Sequence, residues 1–159
     1  MTNTYGIQLR HPIAGDLIGN RLTLAAIGTA FEASYGWRLL APGGAVLLSG
    51  YLQAGSMGSM EAFVHQHEIT VTHRGPATLQ VFGDDPSGQH DPGLDVVTVP
   101  VILIPGMTGY RIHLVAAGDT LSAIARDNHS TVADLVAANG IPNPDVIRVG
   151  QILRVPLTA

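Results

Sequence analysis

Cysteine is absent from the 159 residues. That excludes a disulfide staple, a thiol nucleophile and a Cys-ligated zinc site, and it leaves the redox compartment undetermined. Lysine is absent too. The eight basic residues are all arginine, placed singly from Arg10 to Arg154, and the formal net charge is -4. Such a chain carries no electrostatic footprint for nucleic acid or anionic lipid, so neither is expected as a partner. Charged residues make up only 13% against 46% hydrophobic, a balance that supplies a core and is wrong for disorder. Long hydrophobic runs are lacking as well. The longest, "VVTVPVILIP" from Val96 to Pro105, is broken by Thr98 and Pro100. It falls far short of the roughly 20 residues that span a bilayer, so it reads as a buried strand and no membrane span is expected. The first residues, "MTNTYGIQLRHPIAG", have neither a basic n-region nor an apolar h-region, and read as carrying no secretory leader.

What is present falls into two halves with different periodicity. From Ile7 to Ile104, apolar residues alternate or form short Val, Ile and Leu runs punctuated by Gly and Pro, the pattern of an all-β sandwich with no helix. The expected strands are Gly6 to Arg10, Arg21 to Ala30, Gly36 to Leu40, Ala45 to Leu52, Ala62 to Thr72, Ala77 to Gly83 and Asp95 to Leu103. Pro42-Gly43-Gly44 and Arg74-Gly75-Pro76 are turn signals. "PGMTG", Pro105 to Gly109, ends this half.

Beyond it the period becomes 3.6. Leu121, Ile124 and Ala125 share a helical face after Asp119-Thr120, and Val132, Leu135 and Val136 share another after Thr131. Thr131 and Asp134 have capping-box spacing, in which a hydroxyl and a carboxylate satisfy amides at a helix start. Gly140 is a helix stop. The expected order is strand His113 to Val115, helix Thr120 to Asp127, helix Thr131 to Asn139 and strand Ile152 to Val155 closed by Pro156, the strands pairing antiparallel beneath the helices. The domains expected are a sandwich over 1–104, a linker over 105–110 and a small α+β module over 111–159.

Several residues invite a chemical reading. Asp84, Asp85, Asp91 and Asp95 offer calcium-type oxygen ligands, but they lack EF-hand spacing, and "DDPSGQHDPG" is read as a solvated loop. In "HQHEITVTH", a regular strand would put His65, His67 and His73 on one face, as a zinc or copper pair requires. Phe63, Ile69 and Val71 share that face, so a bulge or strand end near His67 is preferred and no metal is expected. Trp37 is read as a buried indole rather than a sugar-stacking platform. Glu61, Glu68 and His67 are possible acid-base groups, yet no nucleophile-base pair is legible around them. Ser56 in "GSMGS" is not a nucleophile elbow, and that stretch is read as a flexible loop. No cofactor is expected and the chain is not expected to be an enzyme.

The stretches "HLVAAGDTLSAIA", "TVADLVAANGI" and "NPDVIRVGQILRVP" keep a family's order from about His113 to Pro156. They resemble the LysM module, a βααβ domain that binds N-acetylglucosamine-containing glycans such as peptidoglycan and chitin. The resemblance implies a glycan groove with one wall at Gly118, Asp119, Thr120 and Leu121, and the other at Asn143, Pro144, Asp145, Val146 and Ile147. Backbone amides and small apolar surfaces suit an N-acetyl group, with Gly118 allowing close approach and Leu121 and Ile147 as an apolar floor.

In the first half, Pro12 to Gly15, Phe31-Glu32 and Val99-Pro100-Val101 lie within "IQLRHPIAGDLIGNRLTLAAIGTAFEASYGWRLLAPGGAVLLSGYLQAG", "FVHQHEI" and "VPVIL". These resemble the immunoglobulin-like domain found beside GerMN modules in spore-forming and other bacteria. That family brings no catalytic residues, and implies a binding or scaffolding sandwich of the cell envelope. The expectation is therefore a noncatalytic protein of the cell wall or exterior that holds peptidoglycan or a chitin-like N-acetylglucosamine polymer. The sandwich would support it or recruit an envelope partner. The alternative is an assembly protein, cytoplasmic in location, using both domains for protein contacts or self-association.

Overall fold

A computed structural model describes residues 6–158; the ends of the expected domains, residues 1–5 and 159, lie outside the described residues. The strands are β1 (Ile7–His11), β2 (Leu17–Ile18), β3 (Arg21–Gly28), β4 (Ser34–Leu40), β5 (Val46–Gln53), β6 (Glu61–Glu68), β7 (Gly75–Gly83), β8 (Leu94–Leu103), β9 (Met107–Leu114) and β10 (Ile152–Thr158). Two helices, α1 (Leu121–Asp127) and α2 (Val132–Asn139), lie between β9 and β10. The chain divides into two compact units. One takes the residues through Asp16, Leu22–His67 and Ala77–Val101; the other takes Leu17–Arg21, Glu68–Pro76 and the residues from Ile102 onward.

The first unit is an all-β sandwich. One sheet has the order β1-β3-β6, and the other contains β8-β7-β4-β5. The alternation seen in the sequence is what builds it. Leu22, Leu24 and Ala26 of β3, Tyr35, Trp37 and Leu39 of β4, and Ala77, Leu79 and Val81 of β7 are buried, each two residues from the last. Trp37 is 3% exposed, as a core indole. Its space comes from Gly50, directly opposite on β5, where a Cβ would stand 2.6 Å from the indole ring.

The sandwich departs from the sequence reading in three places. A short 3-10 turn, Phe31–Ala33, occurs where no helix was expected. β6 ends at Glu68, short of Thr72 and at the strand end preferred near His67, where the Ile69 N–H turns to the carbonyl of Asn20 at 2.9 Å. His73 is therefore off the strand and bonds the Pro76 carbonyl at 2.9 Å. The stretch around Ser56, read as a flexible loop, is a tied turn. Ser56 Oγ donates to Glu61 Oε1 at 2.6 Å, and the Gly58 N–H donates to the buried Thr29 hydroxyl at 3.0 Å.

The second unit carries strand, helix, helix, strand in the expected order. β9 and β10 pair antiparallel, from Leu114 opposite Ile152 to Met107 opposite Thr158. Both strands are longer than the sequence reading. β9 begins at Met107, so part of the expected linker is strand, and Pro156 sits inside β10 opposite Tyr110 instead of ending it. Proline is tolerated there because a two-stranded sheet leaves each strand an outer edge where no N–H is needed. Val115, Leu121, Ile124, Leu135, Leu153 and Val155 form the core beneath the helices. A second cluster joins Ile104, Met107 and Ala138 to Leu17 and Ile102, and β2 runs parallel to Ile102–Leu103 at the same place.

Candidate functional site

The two loops of the second unit are held in register by backbone bonds across them. The Val115 N–H donates to Gln151 at 2.9 Å, and the Gly150 N–H donates to Val115 at 2.8 Å. From Val115 the chain turns at once. Gly118 has φ +90, a left-handed conformation that glycine adopts without strain. Asp119 then closes the turn on itself, its Oδ2 accepting from the Ala116 N–H at 2.8 Å and from His113 Nε2 at 2.8 Å. The Ala116 N–H, and secondly His113, hold the Asp119 carboxyl below the usual carboxylate range. Thr120 caps α1, its hydroxyl accepting from the Ala123 N–H at 3.2 Å.

The second loop is as well tied. Asn143 Oδ1 accepts from the Asp145 N–H at 3.0 Å, and the Val146 N–H reaches the Asn143 carbonyl at 3.1 Å. Farther on, Gln151 Oε1 accepts from the Arg148 N–H at 3.0 Å. At the far end of α2, Asn139 clamps the helix to β10, accepting from the Arg154 N–H at 2.8 Å and donating to the Arg154 carbonyl at 2.7 Å.

Between the loops lies a groove of about 310 Å³ lined by Asp119, Thr120, Leu121, Ser122, Pro144, Asp145 and Ile147. Six of the nine residues expected for a glycan groove therefore meet there. Gly118 shapes the turn without lining the groove, and Asn143 and Val146 face a neighbouring hollow. Leu121 is only 3% exposed and belongs to the core, so Pro144 and the half-buried Ile147 offer more of the accessible apolar surface. Ser122, which the sequence reading passed over, adds a hydroxyl. The groove thus sets hydroxyls and carboxylates around a small apolar floor, the chemistry that grips a neutral polyol with amide branches.

The other candidates are dispersed. His65 and His67 stack with centroids 5.8 Å apart, and His67 packs on Trp37 at 5.1 Å. Burial, and then His65, pushes the pKa of His67 down, and its Nε2 has no hydrogen-bond partner among the described residues. Glu68 binds Arg21 at 2.8 Å, while Glu61 accepts from Ser56 and Ser59. Asp85 is consumed by its own loop, accepting from Ser87, Gln89 and His90, and Asp91 pairs with Arg38 at 3.2 Å. Among the described residues no three His, Cys, Asp or Glu side chains gather to hold a metal ion.

Residues 6–90, more than half of the chain, match the immunoglobulin-like domain of bacterial spore germination. The chain belongs to this family. Residues 113–156 match the LysM domain, so the groove lies in a LysM domain that follows the immunoglobulin-like one. The LysM part is similar to several curated proteins. It is 47% identical over 47 residues to the cortical fragment-lytic enzyme of Bacillus subtilis (strain 168), covering 30% of this chain and 11% of that protein. Identity is 46% over 55 residues to the secreted LysM effector ECP6 of Passalora fulva, covering 34% and 23%. It is 48% over 48 residues to the N-acetylmuramoyl-L-alanine amidase XlyA of Bacillus subtilis (strain 168), covering 30% and 16%. The chain thus spans less than a quarter of the length of these relatives.

Proposed function

We propose that the protein is a noncatalytic cell-envelope binder whose LysM domain holds an N-acetylglucosamine-containing glycan in the groove between Asp119–Ser122 and Pro144–Ile147. The immunoglobulin-like domain acts as scaffold or partner-binding module. The observation that carries this reading is the meeting of the two loops around one shallow polar groove, within the residues that match the LysM domain. Lytic activity named for two of the relatives gives no reason to make this chain an enzyme, because their likeness covers its LysM part alone. The place of action is the cell wall or the exterior, in a spore-germination-like setting. Among the described residues no helix is long and apolar enough to cross a membrane.

The test is sedimentation with insoluble peptidoglycan and with chitin, using Ser122→Trp as the blocked form. Ser122 is exposed and its side chain borders the groove, so an indole there fills the groove while leaving the core intact. Wild type is expected to sediment with glycan and the folded variant to stay in solution. Equal behaviour of the two sinks the groove assignment. One copy should bind weakly, and tight attachment would need several copies presented together.

A second reading has an observation of its own. Tyr110, Ile112 and Leu114 of β9 and Ile152 of β10 are 50% to 67% exposed, an apolar sheet face that an assembly protein would use for contacts. Concentration-dependent self-association without glycan binding would favour it.

A further inference from the structure

The loop from Asn143 to Ile147 has two sides. Pro144, Asp145 and Ile147 border the groove, whereas Asn143 and Val146 border a second hollow of about 590 Å³ that also includes Ile141, Arg148, Val149 and Gln151. The two sides differ in charge. The groove side carries the carboxylates of Asp119 and Asp145 beside the hydroxyls of Thr120 and Ser122; Asp119 already accepts from Ala116 and His113, and the Asp145 carboxylate has no hydrogen bond to any described residue. The far side presents donors. Asn143 Oδ1 and Gln151 Oε1 are already taken by backbone N–H groups, which leaves their NH₂ groups, and Arg148 forms no salt bridge among the described residues. Around these donors stand exposed apolar surfaces, Val146 at 54% and Val149 at 70%.

A carboxylate is acceptor-only, and a guanidinium donates through a fixed fork. The group that complements the hollow is therefore a carboxylate on a short apolar stem, and the same group would be repelled by the acids of the groove. We propose that the hollow is a second subsite, taking an anionic branch of the glycan whose backbone lies in the groove. Arg148 thereby makes the LysM domain select a carboxylate-bearing glycan over a neutral one. The lactyl branch of N-acetylmuramic acid, free or extended by amino acids, has this chemistry; chitin has no such branch. The inference rests on the groove reading above, which it narrows from N-acetylglucosamine polymers in general to peptidoglycan.

The experiment is calorimetric titration of the full chain at low salt with three tetrasaccharides. They are chitotetraose, the N-acetylglucosamine–N-acetylmuramic acid tetrasaccharide with free lactyl carboxylates, and its methyl ester. Wild type is expected to bind the free acid about three- to fivefold more tightly than the ester or chitotetraose, the size of an exposed charge pair. That preference should shrink as salt is raised past about 0.15 M. Arg148→Gln should abolish it, and Val149→Glu should reverse it, with chitotetraose affinity unchanged in both. Neither position lines the groove, and both side chains are exposed, so folding is spared. Equal affinities in wild type, or a preference that survives Arg148→Gln, overturn the subsite and leave the groove standing. Binding of none of the three probes, or binding unaffected by Ser122→Trp, overturns the groove reading and the subsite with it.

Discussion

Asp119 does two jobs with one carboxylate. It closes the turn through Ala116 and orients His113, and both bonds favour its ionised form. A carboxyl whose folded pKa lies below its unfolded value lends stability that is complete above the unfolded value, about 3.9, and disappears as pH falls through the folded one. The thermal midpoint of the wild type is therefore expected to fall more steeply below about pH 4 than that of Asp119→Asn. Asp85, also held low by its own loop, is common to both proteins and drops out of the difference. Parallel midpoint curves from pH 6 to pH 2 would remove Asp119 from the account. At this scale the sequence was informative wherever a residue's job is local. Gly118, Thr120 and Gly140 serve their own turns and caps. Ser122 was missed because an exposed polar residue early in a helix carries no periodic signal, and only the approach of the other loop gives it a role. Asp134 was read as half of a capping box; its carboxylate goes instead to Arg74, 60 residues away, which no local pattern reports.

The elements of the LysM domain are short, and their ends matter accordingly. A helix of seven or eight residues is not stable alone in water, so α1 and α2 depend on caps and on the face they bury. Thr131 accepts from the Asp134 N–H at 3.0 Å, satisfying one of the unpaired amides at the start of α2. Thr131→Ala should lower stability by about 1 kcal/mol and Thr131→Ser by less, read from urea denaturation of the full chain. An unchanged midpoint in the alanine variant would mean that the packing of Leu135 and Ala138 alone sets that helix. The helices were legible because their buried faces recur at helical spacing and their caps have characteristic residues. The strands were legible in kind but not in length. In "MTGYRIHL" the alternation at Tyr110, Ile112 and Leu114 lies on the open face, so it does not mark a buried strand. β2, with two residues, is too short to leave any pattern.

For the molecule as a whole, the second unit is more than the segment that matches LysM. It includes Leu17–Arg21 and Glu68–Pro76. Within it Arg74 Nε meets Asp134 Oδ1 at 2.6 Å, with the acid side chain 2% exposed and the arginine 42% exposed. Removing the cation leaves a buried carboxylate unpaired. Arg74→Ala is expected to cost about 2 kcal/mol, reduced from the cost of breaking a fully buried pair because the guanidinium is partly solvated. Adding Asp134→Leu should recover most of that loss, since an apolar side chain needs no counter-ion. Urea denaturation of the single and double variants measures both, and a silent Arg74→Ala would show that the pair contributes nothing. The change of period near Pro105 does not report the membership of the second unit, because the packing of Leu17 beside Ile102 depends on contacts between distant parts of the chain.

That membership sets a timetable. Leu17 and Ile18 pair with Ile102 and Leu103, made 85 residues later. At roughly 5–20 residues per second, a ribosome takes on the order of 5–15 seconds to supply those partners. Through that interval two apolar side chains wait uncovered on a nascent chain, and the LysM end of the protein cannot mature ahead of the rest.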